Sequence, residues 1–173
     1  MKNKRNLAKP NLVRASIKDY NTIQNLARFY VYDMSRYCGF ISPDWACPSD
    51  GLFESFDFSS YFNEPKRFAF LVKIENEIAG FVLIKKIASQ YKIGEFFIIA
   101  KFQSYGIAEL VAHQIWRDFK GEWELSVIPE NIPALKFWRK AIRNFTGDNF
   151  NEELIMINYD AYQPKRFVFS FSS

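Results

Sequence analysis

Residues 95–108, EFFIIAKFQSYGIA, join an apolar run to a short turn and the start of a helix. The apolar run predicts a strand, and the amphipathic segment after the turn predicts a helix. The first N–H groups of a helix have no partner within it and point outward, so such a turn is an anion site. Gly106 and Ala108 leave room for a phosphate to approach the backbone. The sequence therefore predicts a phosphate-binding turn between a strand and a helix.

The segment after this turn, 104–119, has the periodicity of a helix with one apolar face. The apolar positions at helical spacing are Ile107, Ala108, Val111, Ile115 and Phe119. His113 falls on the opposite face, and we expect it to be solvated. It is the one histidine of the chain, so a multi-histidine metal site is excluded and we expect no metal. The glycine motifs of P-loop, dinucleotide-binding and hydrolase sites are absent as well.

The remaining apolar runs and turns predict an α/β fold, more closely an α+β mixed sheet with helices on both faces. The predicted elements, in chain order, are strand 12–15, a helix from Ser16, a long loop 33–64 with one helical turn at 59–63, strands 68–74 and 78–84, strand 95–99, helix 104–119, strand 124–127, helix 133–142, and strands 145–150 and 166–171. Segment 154–159 stays open between a strand and an ordered loop. The order is β-α-loop-β-β-β-α-β-α-β-β.

Charge is unevenly divided along the 173 residues, a length typical of one domain. The net charge is +4, and four of the 23 basic residues, Lys2, Lys4, Arg5 and Lys9, lie in the first ten positions. The remaining 19 equal the 19 acidic residues in number. We therefore predict a flexible basic tail at 1–10 and one domain at 11–173, and we expect no nucleic-acid partner because the body lacks a basic excess.

Compartment is indicated by what the chain lacks. No apolar run reaches the roughly 18 residues of a membrane span, and the first residues lack the apolar stretch of a signal peptide. Cys38 and Cys47 have neither zinc nor redox spacing and are interpreted as free thiols. We expect a cytoplasmic protein without a membrane partner.

Two motifs resemble those of one enzyme superfamily. Gln103-Ser104-Tyr105-Gly106-Ile107-Ala108 matches [QR]-x-x-G-x-[GA], the acetyl-coenzyme A motif of the GNAT N-acetyltransferases. Asn131, Ala134 and Trp138 match a second signature, N-x-x-A followed four residues later by an aromatic residue. The element order is also similar to that family, so the resemblance covers nearly the whole chain after the basic tail.

The resemblance implies an enzyme that moves an acetyl group from acetyl-coenzyme A to a primary amine in a ternary complex. Backbone N–H groups of Gln103 to Ala108 would hold the pyrophosphate, and the pantetheine arm would run beside the preceding strand as an added strand. The acetyl group would lie where the fourth and fifth strands separate. The cofactor-binding residues implied are Ile98, Ala100, Gln103, Ser104, Tyr105, Gly106, Ile107, Ala108, Asn131, Phe137 and Trp138.

Glu95 is the candidate base, since family members often carry a carboxylate on this strand. Apolar neighbours would raise its pKa if it is buried; the competing interpretation is an exposed glutamate at the start of a strand. Trp138 departs from the family, where a tyrosine often protonates the departing thiolate, and it cannot donate a dissociable proton. Tyr105 or a water could replace that tyrosine, or Trp138 could simply pack against the cofactor arm. Ala100 stands where the family usually has proline.

The acceptor is indicated only by the long loop. Residues 33–64 contain six acids and one base, Arg36, interleaved with eight aromatic residues. Acids and rings together favour a cationic small-molecule or peptide amine, held by charge and cation–π contacts. The alternatives are a solvated acidic loop and, for the whole chain, a module that binds coenzyme A or a protein without catalysis. The apolar run 167–169 could pair across a homodimer.

Overall fold

A computed structural model describes residues 7–54 and 56–173, in which seven strands form one mixed sheet. The elements are β1 (Pro10–Arg14), α1 (Tyr20–Cys38), α2 (Ser60–Asn63), β2 (Arg67–Ile74), β3 (Glu77–Ile87), β4 (Gln90–Ile98), α3 (Ile107–Asp118), β5 (Glu122–Val127), α4 (Ile132–Thr146), β6 (Asn151–Met156) and β7 (Lys165–Ser172). The strand order is β1-β2-β3-β4-β5-β7-β6. Only β4 and β5 run parallel; the other neighbours are antiparallel. The predicted fold class is confirmed.

The central strands bury both faces of the sheet. Successive side chains of a strand point to opposite faces, and β3 shows this clearly. Phe81 and Leu83 belong to a core cluster shared with α1 and α2, whereas Val82 and Ile84 belong to one shared with α3 and α4. Strands buried on both sides contain continuous apolar runs, which is why the sequence predicted them well.

The first helix is longer than the sequence predicted. Its apolar stripe was expected to end before Asp33, where the long loop was predicted to begin, but α1 continues to Cys38. Cys38 is fully buried, so its side chain extends the stripe by two more turns. The predicted helical turn at 59–63 is confirmed by α2.

The predicted strand at 145–150 is wrong. Phe145 lies in α4 and its ring packs edge-on against Trp116, with centroids 5.1 Å apart. Gly147 ends the helix in the left-handed conformation, with φ 64°. The strand follows as β6, which overlaps the segment 154–159 left open between strand and loop.

His113 was expected on a solvated face, and this prediction is also wrong. Its Nε2 lies 2.8 Å from the Ala141 carbonyl oxygen of α4, and its ring packs near Trp116. The apolar face of α3 is wider than predicted because it also buries Ala112 and Trp116. His113 therefore joins α3 to α4.

The apolar run 167–169 was predicted to be able to pair across a homodimer, and this prediction is wrong. It lies in β7, which is already hydrogen-bonded to β5 on one side and to β6 on the other. The edges of the sheet are β1 and β6. At the N-terminus, Leu7 packs against the core and Pro10 pairs with Ile74. Residues 1–6, with three cations of the predicted tail, lie outside the described residues. Across the described ranges, no helix has both the length and the hydropathy needed to cross a membrane.

Candidate active site

The two parallel strands at the centre of the sheet separate after two residue pairs. Tyr91 pairs with Trp123 and Lys92 with Glu124, and no pairing follows towards the C-terminal ends of β4 and β5. A cavity of about 310 Å³ opens there, bounded by α1, by the two separated strands and by the first turns of α4. The carboxyl ends of parallel strands are a frequent place for ligand sites.

A β-bulge places Glu95 in this cavity. Leu83 pairs with Glu95 but Ile84 pairs with Ile93, so Gly94 is an extra residue in β4. Without the extra residue, Ile93 and Glu95 would share a face; with it, Glu95 faces α1, while Ile93 packs on the α3–α4 side. A Cβ on residue 94 would lie 2.1 Å from the Tyr61 hydroxyl oxygen, which explains the glycine.

The Glu95 side chain is partly buried between α1 and β4, and one tyrosine acts on its carboxyl. Burial raises its pKa from 4.5 to about 7, while a hydrogen bond from the Tyr30 hydroxyl and the charge of Lys85 oppose that rise. Tyr30 reaches it from α1, and its ring packs edge-on against Phe97 with centroids 6.2 Å apart. A carboxylate with a pKa near neutrality is matched to accept a proton at physiological pH. The alternative of an exposed glutamate does not describe this position.

Main-chain groups of β4 are available in the gap. The Ile99 N–H donates to the Ala79 carbonyl of β3, and in an antiparallel pair alternate residues direct their polar groups to the other side. Phe96 and Ile98 therefore direct theirs towards β5, from which β4 has separated. The Ile98 carbonyl accepts a hydrogen bond of 2.7 Å from the Gln103 side chain, which ties the strand to the turn that follows.

The turn at 103–108 forms a concave group of backbone donors. Ser104 and Gly106 both have left-handed φ angles, 68° and 80°. Within the described chain, the N–H groups of residues 104–108 have no backbone acceptor. A Cβ at Gly106 would meet nothing within 4 Å, so the space in front of the turn is open. Unpaired donors facing open space fit the pyrophosphate that the sequence predicted here.

The residues of the second motif and Phe137 lie at the start of α4, beside the gap. Trp138 is buried, lines the cavity and packs edge-on against Phe96 at 5.0 Å, and Phe137 lies 6.0 Å from the same ring. Asn131 also lines the cavity, but its side-chain oxygen caps α4 by accepting from the Ala134 N–H at 3.1 Å. The spacing of the second motif thus has a structural role in starting the helix.

Two of the predicted residues, Ala100 and Tyr105, do not line the cavity. Ala100 is exposed in a single 3₁₀ turn, 100–102, so an added strand could follow β4 only as far as Ile98. Tyr105, considered as a replacement acid, is 38% exposed and is not among the residues lining the cavity.

A second cavity, of about 760 Å³, shares Glu95 with the first. Its walls come from the loop after α1 and from the segment between β6 and β7. Four carboxylates line it, those of Asp44, Glu54, Glu95 and Asp160. Arg166 is the one lining cation, and it is paired with Asp160 at 2.8 Å. The cavity therefore carries a negative excess, and the rings of Trp45 and Phe56 face both cavities.

Sequence reasoning missed the residues that come from outside the motifs. Tyr30 was counted as part of an apolar stripe, Asp160 and Gln163 lie between the predicted elements, and Arg166 was predicted only as the first residue of a strand. An available signal was Gly94, because an isolated glycine within an apolar strand indicates a bulge. No comparable pattern indicates Tyr30 or Arg166, whose positions depend on tertiary packing. Among the described residues, no cluster of three or more metal-ligating side chains occurs.

Comparisons with known proteins identify the family and the fold. The model of the Acetyltransferase (GNAT) family matches residues 28–142. No curated protein sequence matches the chain at a significant level.

Solved structures with the same fold include an acetyltransferase from Thermus thermophilus, with 15% identity, a TM-score of 0.65 and coverage of 96% of this chain and 99% of that one. A spermidine N-acetyltransferase SpeG chimera from Vibrio cholerae and hSSAT has 14% identity, a TM-score of 0.64 and coverage of 95% and 96%. A Bacillus anthracis acetyltransferase in complex with acetyl coenzyme A has 19% identity, a TM-score of 0.53 and coverage of 69% and 70%. At such identities the similarity establishes the fold alone.

Proposed function

The chain belongs to the GNAT family of acetyltransferases, and on that premise we propose that it transfers an acetyl group from acetyl-coenzyme A to the primary amine of a cationic acceptor. The observation that carries the proposal is the position of Glu95, which lines both cavities at once. One cavity continues into the gap between β4 and β5, and the other has the acidic lining. A base at their junction can meet an amine and an acyl donor together.

The residues of this chain suit acetyl-coenzyme A as co-substrate. Backbone donors of the turn 104–108 would hold the pyrophosphate, and Ile98, Phe137 and Trp138 would flank the arm. Bound there, the group supplies an activated acetyl thioester. Alignment of two reactants in one site can supply about 7–11 kcal/mol of the barrier reduction, so the transfer needs no metal.

Glu95 would act as general base. With a pKa of about 7, about half of the molecules hold the ionised carboxylate at neutral pH. That carboxylate can take the proton that the amine loses on forming the amide, a role typically worth 10²–10⁴-fold in rate. The N–H groups of Phe96 and Ile98 in the gap are candidates to stabilise the oxyanion that develops as the amine attacks.

The lining of the second cavity supports the cationic acceptor. Once Arg166 is paired with Asp160, no lining cation balances Asp44, Glu54 or Glu95. The rings of Trp45 and Phe56 can add cation–π contacts. A positively charged amine would be drawn to this cavity and a carboxylate repelled from it.

Thiol release from acetyl-coenzyme A tests the proposal, with polyamines, aminoglycosides, lysine peptides and neutral amines as acceptors. We expect the cationic amines to react. The double variant Asp44→Asn/Glu54→Gln should raise KM for them roughly three- to tenfold with little change in kcat, since each lost charge contact at these exposed positions is worth about 0.5 kcal/mol. Asp33→Asn is the matched control, because Asp33 is a half-buried acid of α1 that pairs with Arg36 and lines neither cavity.

Two outcomes would contradict the proposal in different ways. Reaction with neutral or acidic amines alone, or an unchanged KM in the double variant, would remove the cationic acceptor but leave acetyl transfer. If acetyl-coenzyme A raises the melting temperature but no amine releases thiol, the chain is a coenzyme A-binding module instead.

A further inference from the structure

The cavity has no general acid at position 138, but it contains the Tyr30 hydroxyl, which has no role so far. Trp138, whose indole has no dissociable proton, lines the wall of the gap. Tyr105 lies outside the lining residues. Tyr30, from the third turn of α1, lines the same cavity as Trp138, and its hydroxyl lies close enough to Glu95 to lower the pKa of that carboxyl. It is therefore the phenol that contacts both the base and the space where acyl transfer would occur.

Resting on the proposed acetyl transfer, we propose that the Tyr30 hydroxyl relays the proton that Glu95 removes from the acceptor amine to the departing thiolate sulfur. Other groups on the wall are less suited. The Cys38 thiol is engaged by the Gln163 side chain at 3.5 Å, and burial raises its pKa. Ser126 is exposed on β5 and, unlike Tyr30, is not among the groups that shift the pKa of Glu95.

The relay balances protons and electron pairs. Glu95 accepts a proton from the nitrogen as the new C–N bond forms. As the C–S bond breaks and its electron pair stays on sulfur, Tyr30 gives its hydroxyl proton to the sulfur. The protonated Glu95 carboxyl passes its proton to the Tyr30 oxygen at the same time. The products are the amide and the free thiol, and Glu95 and Tyr30 return to carboxylate and phenol.

The direction of transfer is favourable. Protonated Glu95, with a pKa of about 7, is a stronger acid than a thiol with a pKa of roughly 8.5. Burial and the nearby Glu95 charge raise the pKa of Tyr30 well above its usual value. Tyr30 therefore does not persist as a phenolate; it gives up a proton only while it receives one. The pair also restores the base without exchange with bulk water.

Tyr30→Phe tests the relay, because it keeps the ring that packs on Phe97 and removes only the hydroxyl. Tyr20→Phe is the matched control: it lies on the same helix, and its hydroxyl donates to Asp57 outside both cavities. With acetyl-coenzyme A, we expect kcat to fall at least tenfold in Tyr30→Phe and to stay within twofold in Tyr20→Phe. The substitutions are then compared with the selenoester analogue of acetyl-coenzyme A, whose leaving selenol is a much stronger acid than the thiol.

The leaving group separates a relay from a structural effect. If Tyr30 protonates the leaving atom, the loss of kcat in Tyr30→Phe should shrink to less than about threefold with the selenoester. The selenolate is a weaker base than the thiolate, so it can leave without being protonated. Equal losses with both donors overturn the relay alone. Wild-type protein that releases no thiol with any amine overturns acetyl transfer and the relay with it.

A second readout uses the protein without any ligand. Tyr30 lowers the pKa of Glu95 through its hydrogen bond, so Tyr30→Phe should raise that pKa above about 7 when the Glu95 carboxyl is titrated by carbon NMR. Tyr20→Phe should leave it at about 7. An unchanged Glu95 pKa in Tyr30→Phe would mean that the Tyr30 hydroxyl does not interact with the Glu95 carboxyl, and it would overturn the relay.

Discussion

The turn at 103–108 and the environment of Glu95 recognise their ligands by different means. The turn presents backbone N–H groups, so its side chains can vary as long as Gly106 keeps its left-handed geometry. The Glu95 side of the site is built from side chains that come from α1, β4 and the segment before β7. A site made of backbone is readable from a short motif, whereas a site made of side chains depends on packing between distant segments. The two halves should therefore respond differently to substitution.

The largest effect is expected on the side-chain half. Glu95→Gln removes the base while keeping the shape of the residue, and kcat/KM at neutral pH should fall at least hundredfold. Binding of acetyl-coenzyme A, measured by calorimetry, should change less than threefold. Glu122→Gln, at the exposed start of β5, serves as the control and should retain activity. A loss below threefold in Glu95→Gln would show that the carboxylate is not the base.

The same substitution should stabilise the fold at high pH. Below pH 4.5 Glu95 is protonated in both the folded and the unfolded chain. Between pH 4.5 and about 7 the unfolded chain loses this proton first, so wild-type stability declines and then stays lower. The shift corresponds to about 3 kcal/mol. Glu95→Gln should therefore gain up to that amount in free energy of unfolding at pH 8.

Urea denaturation at pH 8 and pH 4.5 measures this effect. The advantage of Glu95→Gln should disappear at the lower pH, and Glu122→Gln should show no such pH-dependent gain. An equal stability difference at both pH values would mean that the Glu95 carboxyl is not held in a desolvated position.

The backbone half is tested by two glycines with the same geometry. Gly106 and Gly147 have φ angles of 80° and 64°, and an added Cβ would meet nothing within 4 Å at either position. Alanine at each should cost about 1 kcal/mol of stability, because the left-handed conformation is unfavourable for it. Only Gly106→Ala should weaken coenzyme A binding, by about tenfold, since its methyl group enters the space in front of the turn. Equal affinities of the two variants for coenzyme A, measured by calorimetry, would show that the turn at 103–108 does not bind the cofactor.

The sheet was largely predictable because its central strands are buried on both faces and contain uninterrupted apolar runs. Errors occurred where that signal ended. The first half of β4, Gln90–Gly94, mixes polar and apolar residues, so only the part from Glu95 onwards was expected as a strand. The ring of Phe145 suggested a strand, but its contact with Trp116 keeps it in α4.

The site residues were likewise predictable only where the sequence pattern was local. The turn and Glu95 were predicted because they lie within one continuous stretch of chain. Tyr30 was not assigned a role because its hydroxyl meets Glu95 only after α1 packs across the sheet. The ion pair of Arg166 and Asp160 could not be predicted either, since Arg166 begins a predicted strand, Asp160 precedes it in a loop, and no sequence pattern indicates that the two side chains meet.

The most direct test of Glu95 as the base is the ratio of wild-type to Glu95→Gln kcat/KM, measured from pH 5.5 to 9 with one cationic amine. Ionisation of the acceptor affects both proteins and cancels in the ratio. The ratio should rise about tenfold per pH unit up to about pH 7, the pKa of Glu95, and then remain constant at a hundredfold or more. A ratio that is the same at every pH, or that stays below threefold, would contradict the role of Glu95 in proton transfer.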